Sequence, residues 1–221
     1  MARIADSKGR EDDNSGYTRL LGNRQLGQLL SRIHATVIRN GNELEDMLAR
    51  HCPYRATGLR ERVSGALVLF AQPREVYFGE ALHIRPGEHQ AVADVVILDN
   101  TRRRAIVVEL KDGDEFDTKK ADGELRSIAP LATAIGKRLD YTPEYFFCCF
   151  NQEDKQAIVR GAKGRFAEEH VMTGREICEL LAVDWQTIRD QRERDRRENL
   201  RHFVSELSAM PEIMAMLRDN A

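Results

Sequence analysis

The sequence predicts an α/β domain with a central mixed β-sheet flanked by helices. Two apolar runs, "AVADVVIL" and "RAIVVEL", are parted by the turn residues "DNTR" and read as a hairpin. A helical stretch and a third apolar run, "EYFFCCF", come next. Helical periodicity precedes the hairpin and closes the chain, and the order helix, hairpin strands, helix, strand, helix describes a mixed sheet. At 221 residues the chain is long enough for one domain with a full core.

Each element has its own signal. Residues 1–16 are polar and read as a disordered tail, 17–183 as the main domain, and 184–221 as a helical C-terminal extension. Leu21, Leu26, Leu29, Leu30, Ile33, Val37 and Ile38 recur at helical spacing, and Asn40-Gly41 punctuates that helix. A second helix, "NELEDMLARHC", starts at Asn42 and stops before Pro53. "GALVLFA" and "EVYFG" read as short strands around Pro73, followed by the loop "RPGEHQ" and then the hairpin. Asp117 or Thr118 caps the next helix, which is expected to break near Pro130. "DKQAIVRGAKGRF" and "TGREICELLAV" read as helices. In the extension, Asp190–Arg194 and Glu193–Arg197 stand at i,i+4, the pattern of a solvated, salt-bridged helix. Beyond them Leu200, Phe203, Val204, Leu207 and Met210 form an apolar stripe that either caps the core or makes a dimer contact.

Composition removes several function classes. Apolar residues at 42% and charged residues at 32% are an ordinary globular mixture. A net charge of −2 gives no global basic field, although one cleft can still concentrate positive charge. Cys52, Cys148, Cys149 and Cys178 form no C-x-x-C pair, and the six histidines are scattered, so no zinc site is expected. The N-terminus lacks the apolar core of a signal peptide, and no run approaches membrane-spanning length. A soluble, cytoplasmic protein without a membrane partner is expected.

The hairpin carries charge where buried strands should have none. Asp94 opens the first run, and Glu109 and Lys111 close the second, so antiparallel pairing brings them to the same end of the sheet. Strand period puts Glu109 and Lys111 on one face. Two converging carboxylates make a hard oxygen site suited to Mg²⁺, and a nearby ammonium can hold or polarise water. Such a cluster fits metal-assisted attack of water on a phosphodiester.

These residues, Asp94 … Glu109-Leu110-Lys111, resemble the PD-(D/E)-x-K nuclease superfamily, and the chain is similar to type II restriction endonucleases in particular. Ala93 stands where the superfamily's name has proline. "ELKDGDEFDTKKADGE", "GNELE" and "VMTGREICELL" carry the same likeness, so its landmarks run from about residue 20 to 183. The resemblance implies a restriction-endonuclease-like core over 17–183. It also implies Mg²⁺ held by Asp94, Glu109 and the Leu110 main-chain carbonyl. Lys111 would position the attacking water, with an extra glutamate from the first helical region. Glu45 is the choice for that glutamate and Glu43 the alternative, since both flank the stripe of Leu44, Met47 and Leu48.

Contacts to double-stranded DNA are expected from Lys119 and Lys120, where lysines near a helix N-terminus suit a phosphate. Arg160, Lys163 and Arg165, interleaved with glycines, are further candidates. Gln90 is a candidate base reader. Arg102, Arg103 and Arg104 cluster at the hairpin turn, away from the carboxylates. The reading as a whole is a Mg²⁺-dependent restriction endonuclease, a homodimer on a palindromic site, with a cognate DNA methyltransferase in the same system. A non-specific repair or recombination nuclease, or an inactive DNA-binding module of the same fold, is the alternative.

Overall fold

The computed structural model describes residues 1–10, 15–65, 72–83, 90–113 and 118–219, apart from the side chains of 90, 118–122 and 124. The run "ALVLFA" and most of "RPGEHQ" therefore lie outside the described residues, as does Asp117. The chain forms two compact units, Glu45–Trp185 and Met1–Leu44 with Gln186–Ala221. This division differs from the one expected at residues 17 and 184.

The sheet lies in the first of these units. Strands β1 (Arg74–His83), β2 (Gln90–Asp99), β3 (Arg104–Lys111), β4 (Thr142–Cys149) and β5 (Val171–Thr173) stand side by side in chain order. The first two junctions are antiparallel and the last two parallel, so the sheet is mixed. Parallel pairing of β3 with β4 requires a long connection. Helix α4 (Thr118–Leu139) supplies it and buries Ile128, Leu131, Ala132 and Ile135 against Val107, Phe147 and Cys149. The helix passes through Pro130 without the expected break. Pro130 is exposed, and the buried Ile128, Leu131 and Ala132 on either side of it hold the helix on the core. The short α3 (Leu59–Ser64) adds Leu59 and Val63 to the same core.

One place in the sheet breaks strand period. Ala91 and Ala93 share the core with Val96 and Leu98, and on the next strand Tyr77 shares it with Leu82. Strict alternation keeps one parity on a face, so both strands change phase between these residues. Pairing nevertheless keeps its register from Phe78↔Val95 to Glu80↔Ala93. Gly79 sits at the change with φ 60°, a left-handed conformation that glycine adopts without a Cβ penalty. Past this point the β1–β2 pair continues to His83↔Gln90, whereas the β2–β3 ladder ends at Val95↔Val108. The sheet therefore opens between β2 and β3. β3 stays attached on its other edge through Glu109↔Phe147, Leu110↔Cys148 and Lys111↔Cys149. Arg138 Nη2 donates to the His83 carbonyl at 2.9 Å and ties down the far end of β1.

Beyond β4, α5 (Lys155–Gly161) begins at Asp154, whose side chain accepts from the Gln156 N–H. The helix α6 (Gly174–Leu181) starts with a full capping box of Thr173 and Glu176. All four cysteines are buried, and none forms a disulfide.

The other unit is helical, with α1 (Gly16–Leu21), most of α2 (Arg24–His51), most of α7 (Trp185–Ser208) and α8 (Pro211–Asp219). α2 runs unbroken through Asn40-Gly41, where two helices were expected. A mid-helix glycine costs only about 1 kcal/mol relative to alanine, and the fully buried Leu29 and Leu48 lie on either side of it. Asn40 is used instead to accept the Ala2 N–H at 3.2 Å. The first residues are packed and not the disordered tail expected. Asn199 pairs with both the Ile4 N–H at 2.8 Å and the Ala2 carbonyl at 2.9 Å, and Ile4 joins Leu29 and Met210 in a small core. In α7, Glu193 pairs with Arg197 at 3.1 Å, but Asp190 accepts from Gln186 and Arg194 donates to Gln191. Phe203 and Leu207 pack on the small core while Leu200 and Val204 stay exposed, so the apolar stripe is split between two faces.

Candidate active site

The opening between β2 and β3 gathers the charges singled out in the sequence. Asp94 and Glu109 stand one rung past the last paired one. A strand edge that has lost its ladder leaves an N–H to be satisfied, and Asp94 Oδ2 accepts that of Leu110 at 2.6 Å. Lys111 Nζ lies 2.5 Å from Glu109 Oε1, as expected for side chains two residues apart on a strand. Phe150 N–H donates to the Lys111 carbonyl at 2.9 Å, and the Asn151 side chain donates to the Asp112 carbonyl, so the end of β3 is pinned.

Glu45, on the last turns of α2, completes the group. A Cβ placed on Gly79 would lie 3.9 Å from Glu45 Oε2, which puts this carboxylate over the phase change in the sheet. Burial, reinforced by Asp94, Asp46 and Glu109 and opposed by Lys111, pushes the Glu45 carboxyl up to about 7. Glu45 thus feels three other carboxylates, Asp94, Asp46 and Glu109, against the one ammonium of Lys111. Glu43, the alternative to Glu45, belongs to the other unit. Among the described residues no three His, Cys, Asp or Glu side chains are arranged to hold a metal ion by themselves.

The expected DNA contacts are placed less compactly. Arg160 pairs with Asp154 at 3.1 Å with both side chains exposed, and Lys155 pairs with Glu176 at 2.7 Å. Lys163 and Arg165 are exposed in the turn after α5, where Lys163 and Gly164 adopt φ 54° and 69°. The side chains of Gln90, Lys119 and Lys120 lie outside the described ones. At the hairpin turn Arg103 pairs with Asp140, and Arg104 makes a two-pronged contact with Glu144.

Sequence reasoning passed over Gly79. A glycine inside the apolar run "EVYFGE" was the available signal, since mid-strand glycines mark bends and close approaches.

The fold is that of an α/β protein with a restriction-endonuclease-like core. Over 225 aligned residues the chain is 38% identical to the type II restriction enzyme HhaII of Haemophilus parahaemolyticus, with 96% of each chain covered. The chain belongs to this family of type II restriction enzymes. No family model matches it, and no solved structure matches it. No described helix is long and apolar enough to cross a membrane.

Proposed function

We propose that the chain hydrolyses phosphodiester bonds in double-stranded DNA at a short specific sequence, using a PD-(D/E)-x-K centre made of Asp94, Glu109, Lys111 and Glu45. The observation that carries this reading is the crowding of Glu45, Asp94 and Glu109 around Lys111 where the sheet opens. Carboxylates crowded together in a partly buried place repel one another, a costly arrangement for a fold to keep without a cationic partner. The donor set fits Mg²⁺, with Asp94, Glu109 and the Leu110 carbonyl as hard oxygen ligands and water for the remainder. When bound, Mg²⁺ would supply Lewis-acid stabilisation of charge at the scissile phosphate and a more acidic water.

The chain's own groups have separable tasks. Asp94 fixes the Leu110 peptide through its N–H and so orients the neighbouring carbonyl. Lys111, held by Glu109, orients the attacking water and offsets charge that develops on the phosphoryl oxygens. Glu45, poised near neutrality, takes up or releases a proton at its carboxyl as the local charge changes. Exposed Lys163 and Arg165, with Arg160, Lys119 and Lys120, would bear on the DNA backbone, and Gln90 on a base edge. The protein is further proposed to act as a cytoplasmic homodimer, with the exposed Leu200 and Val204 face of the C-terminal helices as interface. A cognate methyltransferase would protect the host's own sites.

Plasmid digestion with Mg²⁺ tests the reading. Discrete bands are expected. A smear would make it a non-specific nuclease, and intact plasmid over a range of sequences and divalent metals would make it a binding module.

A further inference from the structure

Beyond its last rung with β2, the tip of β3 is held by a side chain on each side. On the β2 side Asp94 Oδ2 accepts the Leu110 N–H at 2.6 Å. On the β4 side the rungs run on to Lys111↔Cys149, and Phe150 N–H donates to the Lys111 carbonyl at 2.9 Å. The ladder stops there, because Gln152 N–H turns back to the Cys149 carbonyl at 3.2 Å. From this turn the Asn151 side-chain amide reaches across and donates to the carbonyl of Asp112, the residue after Lys111. All of these groups belong to the unit that bears the sheet.

The base from which Asn151 reaches is fixed. Cys149 and Phe150 are buried. The start of α6 passes so close that a Cβ on Gly174 would lie 2.1 Å from the Phe150 carbonyl oxygen. On the far side Gln152 Oε1 accepts the N–H groups of Glu153 and Asp154 at 3.0 and 3.1 Å, and Asp154 in turn caps α5. Asn151 itself is exposed. An exposed hydrogen bond adds little to stability, since water serves both groups when it breaks. What this one fixes is the direction in which the chain leaves Lys111. The Lys111 ammonium sits at the end of a flexible four-carbon stem, 2.5 Å from Glu109 Oε1, and is placed only as firmly as the backbone beneath it.

We infer that Asn151 is a positioning residue for Lys111. Its amide clasps the Asp112 peptide and so keeps the Lys111 ammonium beside Glu109. The inference rests on the nuclease reading above, and adds to it a residue that brings no charge and touches no reacting atom.

The test is Asn151→Ala in the full chain, with thermal melting to show that the fold survives. One measurement needs no DNA. Lys111 is modified with an amine-reactive succinimidyl ester and read by mass spectrometry, with the exposed Lys163 as internal reference. Lys111 should react several-fold faster in the variant, and an unchanged ratio to Lys163 overturns the inference. The other measurement is cleavage of duplex DNA with Mg²⁺. The variant's kcat should fall by on the order of 10–10², the cost of misplacing a group at the chemistry, with KM unchanged. In a Lys111→Ala background the same substitution should slow cutting by less than about twofold, because the group it positions is gone. Parental cleavage by the single variant, or losses that multiply in the double one, overturn the inference as well. The two readings fail separately. A protein that never cuts, yet whose Lys111 reacts faster without Asn151, keeps the clasp and loses the nuclease. One that cuts equally well without Asn151 does the reverse.

Discussion

The two ends of the β2–β3 hairpin use charge in opposite ways. At the turn, cations and acids come in matched pairs. Arg104 meets Glu144, Arg103 meets Asp140, Arg74 lies 3.6 Å from Asp99, and Arg62 meets the buried Glu75, which also accepts from Tyr77. Even the turn's Asp99 accepts the Arg102 N–H at 2.9 Å. At the open end Glu45, Asp94 and Glu109 share Lys111, and one of them is pushed towards neutrality. Matching one cation to one acid is how a fold tolerates partly buried charge. A surplus of one sign marks a place kept for a partner from outside.

Breaking the open end should cost activity before stability. Asp94→Asn keeps an oxygen to accept the Leu110 N–H, so melting should hardly change. Cleavage should fall by at least about 10³, on the scale of losing a catalytic charge, together with any metal-dependent tightening on DNA. Cutting at a normal rate by this variant would remove Asp94 from the centre. Lys111→Ala should cut more slowly by on the order of 10²–10³ while still binding DNA with Ca²⁺ in place of Mg²⁺. Cleavage by the parent protein in EDTA would end the metal mechanism altogether.

Gly79→Ala probes the hinge between the two behaviours. Its Cβ would make only ordinary contact with Glu45 at 3.9 Å. The cost should therefore come from the backbone at φ 60°, about 1–2 kcal/mol of unfolding free energy in a denaturant titration. At the turn, Arg104→Ala should lower stability by about 1 kcal/mol, since both partners are partly exposed, and leave the cleavage rate unchanged. A change in rate would mean that the two ends are coupled.

The smallest effect is a pH dependence of the metal-free protein. The Glu45 carboxyl is raised from 4.5 to about 7, so between those values the folded chain binds the proton more tightly than the unfolded one. Stability from this group is present below about 4.5 and is lost as pH rises through about 7. Differential scanning should show the melting temperature declining over that window, with a shallower decline in Glu45→Gln. Identical profiles would show that burial and the neighbouring acids do not raise the Glu45 carboxyl.

Asp94, Glu109 and Lys111 were legible because charge at the end of an apolar run violates strand patterning locally. Glu45 was legible only as one of two glutamates, since helix period does not distinguish neighbours that flank the same stripe. The role of Gly79 depends on a residue across the sheet and another on a helix, so nothing in its own surroundings declares it. Local rules also misjudged α2 and α4. A glycine costs about 1 kcal/mol and a proline about 3 kcal/mol within a helix, and burial on both sides of Gly41 and Pro130 outweighed them. The first residues looked disordered because the side chain that anchors Ile4, Asn199, lies 195 positions away.

The strands stand in the sheet in the order in which they are synthesised, and this has a temporal consequence. Each strand leaving the ribosome can join an edge that already exists. The antiparallel hairpins close over short loops, whereas β4 must wait for α4 to be made and to cross. Glu45, Asp94, Glu109 and Lys111 have all been translated by then, but the edge that supports β3 begins only at Thr142. At about 5–20 residues per second, the nascent chain carries these four charged groups for a few seconds before the strand beneath two of them is buttressed. Completion of this charged cluster is thus timed by the arrival of a strand that contributes none of its charges.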